Sequence, residues 1–175
     1  MKATKPDGTL KEIEKCYIKI PGYGQITMRI LPDISDSKSA SYSDEPVIGR
    51  SFPMKTYSHS ENRSISWTAY FMILKNGDAV KNLMDLRALQ SVTYPRDEGF
   101  EPYAPPPICA IKCGNILGER ELCVVLKQYS VKFPTDVAWD EDHLVPYKFS
   151  VDLTWEVVYS SDDLPGHDRI LRGGR

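Results

Sequence analysis

One segment towards the C-terminus constrains the fold of this chain more than any other. From Tyr147 to Tyr159, the residues Tyr147, Phe149, Val151, Leu153, Trp155, Val157 and Tyr159 alternate with Lys148, Ser150, Asp152, Thr154 and Glu156. Side chains of a strand take opposite faces with a period of two, so the segment predicts a long strand with one dry face and one wet face. Trp155 and Leu153 belong to the dry face. Asp152 and Glu156 share the wet one.

The same period recurs from Arg63 to Leu74. Ile65, Trp67, Ala69, Phe71 and Ile73 take one face and Ser66, Thr68, Tyr70 and Met72 the other, so cover is expected on both. Further strands are expected at Ile108 to Cys113, at Glu121 to Phe133, and twice between Cys16 and Leu31. In the last stretch Pro21-Gly22-Tyr23-Gly24 makes the turn, and Ile26, Met28 and Ile30 face one way. Asn76-Gly77-Asp78 offers Asp78 as a helix N-cap, and Pro95 stops the helix that follows. Its stripe is Ala79, Val80, Leu83, Leu86 and Gln90, widened by Met84 and Leu89. That is broader than a helix covering one sheet requires. Residues 1–15 are polar and predict a loose arm. Asp33 to Glu45 is rich in serine and poor in large apolar groups, so it reads as a long loop or as a segment that orders only against a partner.

Composition restricts function as well as fold. The 175 residues suit one domain, 41% hydrophobic and 26% charged, with a net charge of −2. That balance gives the whole molecule no electrostatic grip on a nucleic-acid backbone. No apolar run reaches the roughly 18 residues of a membrane span, and the first residues lack the apolar core of a signal peptide. The chain reads as cytosolic in origin. Cys109 and Cys113, four apart in a strand, would stand about 13 Å from one another, too far for a disulfide or a shared zinc ion. The four cysteines therefore read as reduced, mostly buried thiols. Asp140-Glu141-Asp142-His143 lacks the alternating ligands and turn glycine of a calcium loop and reads as a solvated connection. His59, His143 and His167 are scattered among polar residues, and no nucleophile elbow, zinc-protease helix or phosphate loop accompanies them. Neither an enzyme nor a cofactor is expected. Trp139, in the acidic connection, is the tryptophan expected at a contact surface.

Taken in order, several segments resemble the tail-tube and baseplate-tube proteins of contractile-tailed bacteriophages. They are Pro53 to Thr56, Ile65 to Phe71, the helix end Leu86 to Pro95, Tyr103-Ala104-Pro105-Pro106-Pro107-Ile108-Cys109, and Tyr147 to Val157; the likeness covers about residues 46 to 163. The resemblance implies a mainly β fold with one helix (α+β), an antiparallel β-sandwich or barrel with a flanking α-helix. The residues themselves read as a single domain over 1–175, with an arm (1–15), a Ser-rich loop (33–45) and a basic tail (164–175). The implied function is a structural virion subunit without catalysis. It would form a homo-hexameric ring, a baseplate tube initiator or tube junction, against neighbouring tube and hub rings around a channel through which DNA passes. Assembly in the host cytoplasm is implied, with no membrane. On that reading Val80, Met84 and Trp139 are expected at subunit interfaces, and Asp152 and Glu156 towards the lumen. A monomeric cytosolic β-barrel that binds a ligand or peptide is the rival reading.

Overall fold

The structure, a computed structural model, describes residues 12–46, 48–49, 51–75, 77–95 and 104–158. The basic tail, Tyr159 and most of the N-terminal arm lie outside these residues. The alternation near the C-terminus does form a strand. It runs Lys148–Val157 (β11), with Phe149, Val151, Leu153, Trp155 and Val157 buried and the residues between them half-buried, apart from exposed Lys148. It is an inner strand of a seven-stranded antiparallel sheet. The other members are Cys16–Ile20 (β1), Gly24–Thr27 (β2), Asp33–Ser37 (β3), Ser64–Met72 (β6), Cys109–Cys113 (β7) and Leu122–Lys132 (β8). Their order is β2-β1-β7-β8-β11-β6-β3. With a single helix among the described residues, Asp78–Ser91 (α1), the fold is mainly β, as expected.

The order has a geometric consequence. Strands β2 and β3 are the two edges of the sheet, yet only residues 28–32 separate them along the chain. In a flat seven-stranded sheet the edges would stand about 29 Å apart, whereas the six Cα steps from Thr27 to Asp33 reach at most about 22 Å. The sheet must therefore coil until its edges approach, wrapping its dry face inward. Trp67, Trp155, Phe149, Ile18, Ile111 and Leu153 fill the interior. Helix α1 adds Leu86, Ala88 and Leu89 to the same core, with Val92 just beyond it.

Three expectations are corrected. The Ser-rich stretch is not a loop. Asp33–Ser37 pairs with β6, and Ala40–Glu45 (β4) pairs with Met54–Ser60 (β5). Backbone pairing, polar contacts such as Arg63 to Asp36 and Lys55 to Asp44, and Ile34 against the core hold these strands, so a run of large apolar residues is not required. The second face of β6 is not covered: Ser66 is exposed, and Thr68, Tyr70 and Met72 are half-buried. Asp78 is not the N-cap. Gly77 takes that position at φ 94°, with no side-chain cap, and Asp78 is the first helical residue.

Candidate interaction surfaces

Helix α1 is held by polar contacts to both ends of the coiled sheet. The Asp78 carboxylate accepts from Arg29 Nη1 at 2.7 Å and Nη2 at 3.0 Å, and from the amides of Leu74 and Lys75, each at 3.1 Å. Arg29 lies in the segment joining β2 to β3. Its guanidinium holds the Asp78 carboxyl at about 2, well below the usual range. One turn on, Asn82 Nδ2 donates to the Met72 carbonyl at the end of β6. Asp85 accepts from the Tyr23 hydroxyl in the β1–β2 turn at 2.6 Å. Burial pushes the Asp85 carboxyl up, and burial together with Asp85 pushes Tyr23 up to about 12. The helix thus presents Asp78, Asn82 and Asp85 inward beside Leu86 and Leu89. The width of its stripe had not suggested this. Val80 and Met84 are left outward, 38% and 55% exposed.

The wet face of the sheet centres on β11. Asp152 accepts from Thr68 Oγ1 at 2.7 Å and pairs with Lys132 Nζ at 2.6 Å, while Glu156 pairs with Lys127 Nζ at 2.7 Å and accepts from Asn62. The lysines, followed by these hydrogen bonds, hold both carboxyls below the usual range. Lys127 reaches Glu156 because β8 carries an extra residue there. Thr154 stands opposite Gln128 and Trp155 opposite Leu126, so Lys127 bulges out of the ladder. The inward phase of β8 shifts accordingly, from Val124 and Leu126 to Tyr129 and Val131. The structure thus brings Asp152 and Glu156 to one face, but each comes with a cation from the neighbouring strand.

Trp139 lies apart from both surfaces. It begins a small hairpin, Trp139–Asp140 (β9) against Val145–Pro146 (β10), and is 40% exposed. Asp140 Oδ2 accepts from the amide of His143 and meets its ring Nδ1 at 2.9 Å, closing the turn as a solvated connection rather than a metal loop. Leu144 completes it with a left-handed backbone, φ 52°, costing about 1 kcal/mol for a residue with a Cβ. That strain holds an apolar side chain 75% exposed beside the turn.

The least expected surface is the β4–β5 hairpin. It prolongs the β3–β6 pair, with Glu61 N donating to Ser39 O where the two ribbons meet. Strand β5 is exposed along its whole length, and β4 likewise except for half-buried Ser41. Tyr42 and Tyr57 meet edge to face at 5.7 Å, and Ile48, Phe52 and Met54 stand open to solvent. An isolated two-stranded ribbon is marginal in water, so this one lacks the packing that would stabilise it. Strong exposed apolar residues between serines were the available signal.

No arrangement for nucleophilic chemistry is built among the described residues. Ser58 Oγ stands 3.2 Å from His59 Nδ1, and His59 Nε2 3.3 Å from Glu61 Oε1, but this string of near neighbours is exposed on the hairpin with no converging oxyanion donors. No group of three metal-ligating side chains occurs among the described residues. The four cysteines form no disulfide; Cys16, Cys109 and Cys113 are buried and Cys123 is exposed.

No protein-family model matches the chain, and no curated protein matches it. Among solved structures it is similar to a chain in the virion of a native gene transfer agent particle, at 11% identity. That alignment covers 86% of this chain and 95% of that one, with a TM-score of 0.42. It is similar to the same degree, 11% identity and a TM-score of 0.42, to a chain in the C6-symmetric tail of an empty gene transfer agent particle. There the cover is 86% of this chain and 96% of the other.

Proposed function

We propose that this chain is a structural ring subunit of a contractile phage tail, a baseplate tube initiator or tube junction that encircles the DNA channel as a hexamer. The observation that carries the reading is the β4–β5 hairpin, a projecting ribbon with exposed Ile48, Phe52 and Met54 and too little packing to stand alone. A partner that covers it supplies the missing burial. The order of motifs from Pro53 to Val157, which resembles tube proteins, supports the same conclusion.

On this reading the hairpin reaches an adjacent subunit or ring, and Val80 and Met84 meet a neighbour across the outer face of α1. Trp139, with Leu144 beside it, forms a second contact. The wet face of β11 lines the channel. With Asp152 and Glu156 each paired to a lysine, that wall is close to neutral and holds a passing phosphate backbone weakly.

The test is assembly of the purified protein, read by light scattering after size exclusion and by negative-stain imaging. The wild type is expected to form annular particles. Replacing residues 40–60 by a short turn between β3 and β6 should abolish them and leave a folded monomer, and Met84→Glu should weaken them without lowering the melting temperature. A stable wild-type monomer under all conditions overturns the ring and favours a monomeric binding module.

A further inference from the structure

Cys16 and Cys113, far apart in the sequence, stand opposite one another on the antiparallel strands β1 and β7, with their sulfurs 3.1 Å apart. The amide of Gly114 donates to the carbonyl of Lys15 at 2.7 Å. The neighbouring pair Lys15/Gly114 is therefore hydrogen-bonded, which makes Cys16/Cys113 a non-hydrogen-bonded pair. Cα atoms of such a pair lie about 4.5 Å apart, inside the window of about 4.4–6.8 Å that a disulfide accepts. Closing the bond asks the sulfurs to approach by only about 1 Å. Neither other cysteine competes. Cys109 is four residues from Cys113 along β7, and Cys123 is exposed on β8 opposite Ala110.

We propose that Cys16 and Cys113 form a reversible thiol–disulfide pair that locks β1 to β7 when the protein meets an oxidising small-molecule disulfide. One cysteine thiolate attacks a sulfur of the external disulfide and expels one small thiolate. The second cysteine thiolate then attacks the mixed disulfide and expels the other. The two protein thiols lose their protons and two electrons, and the external disulfide takes them up as two thiols.

The closed fold keeps the pair inert. Both thiols are 1% exposed, and burial together with the hydrogen bond to Cys113 pushes the Cys16 thiol well above its ordinary value. Exchange requires a local opening, and the position of the pair provides for one. Cys16 is the first residue of β1 and Cys113 the last of β7, so both sulfurs lie where the ladder ends. Once formed, the bond spans 97 residues of chain and restricts the unfolded state accordingly.

The test uses the full chain, reduced, purified and incubated with oxidised glutathione at mildly alkaline pH. Peptide mapping should show a Cys16–Cys113 cross-link with the loss of two hydrogens, reversed by dithiothreitol. The melting temperature should rise by roughly 5–10 °C. Cys123→Ser should keep both effects and Cys113→Ser should lose both. If Cys113→Ser does not fold, reversal by dithiothreitol in Cys123→Ser carries the result. The proposal is overturned if Cys16 and Cys113 both remain open to alkylation after denaturation while Cys123 takes up glutathione. A cross-link that joins two copies through Cys123 also overturns it.

Discussion

Replacing Asp78 by Asn tests how the helix is held to the coiled sheet. The Asp78 side chain is 11% exposed and meets the guanidinium of Arg29 through two hydrogen bonds. Its carboxyl falls from 3.8 to about 2 in the fold, and at 1.36 kcal/mol per unit the ionised form contributes about 2 kcal/mol at neutral pH. Asn keeps an acceptor for the amides of Leu74 and Lys75 but loses the charge, and Arg29 is left with Glu12 at 3.8 Å and the charge of Asp85. The expected loss of about 2 kcal/mol lowers the melting temperature by roughly 4–8 °C for a domain of this size. A folded pKa below the unfolded one means that the stabilisation is present above about pH 4 and disappears as the pH falls towards 2. Thermal melts of both proteins from pH 7 to pH 2.5, followed by circular dichroism, read this directly. The gap should be constant down to pH 4 and narrow below it. A gap that does not change with pH refutes the electrostatic argument and leaves only a packing defect.

Asp85 carries the opposite sign. Burial raises its carboxyl, so ionisation costs stability as the pH rises through the folded value, and Asp85→Asn should melt above the wild type at pH 7. That advantage should vanish below pH 4, and an Asp85→Asn protein less stable at neutral pH would show that the Tyr23 contact outweighs burial. Trp155→Ala removes a side chain with no exposure from the centre of the sheet and should cost about 3–5 kcal/mol in urea titrations. An unchanged midpoint would refute the assigned face of β11.

What the sequence disclosed, it disclosed through periodicity. β6 and β11 carry large apolar residues at every second position, and their dry faces match the alternation of Ile65 to Phe71 and Phe149 to Val157. The helix announced itself by its stripe and by Pro95. β3, β4 and β5 had no such signal, because a paired edge or a projecting ribbon needs backbone partners rather than buried side chains. Among candidate site residues, the width of the helix stripe pointed to Val80 and Met84, and the acidic connection pointed to Trp139; all three stand exposed. Arg29–Asp78, Tyr23–Asp85 and Cys16–Cys113 were not legible. Each joins residues far apart in the chain: the pairing of β1 with β7 brings the two cysteines together, and the docking of α1 on the sheet brings the other two pairs together. The bulge at Lys127 left a trace, a break of phase between Leu126 and Tyr129, which is visible once the ladder is known.

The position of β11 decides how this molecule can come into being. It separates β8 from β6, so the strands before it form two incomplete groups that no ladder joins until Lys148–Val157 is available. Its pairing with β6, like that of β1 with β7, closes a long stretch of chain before any contact repays the entropy. A nascent chain that has emerged only as far as β8 exposes the open edges of β6 and β8 and much of the future core at once. Folding is therefore expected to wait until β11 is available, and C-terminal truncation within β11 should yield aggregates rather than a smaller folded unit.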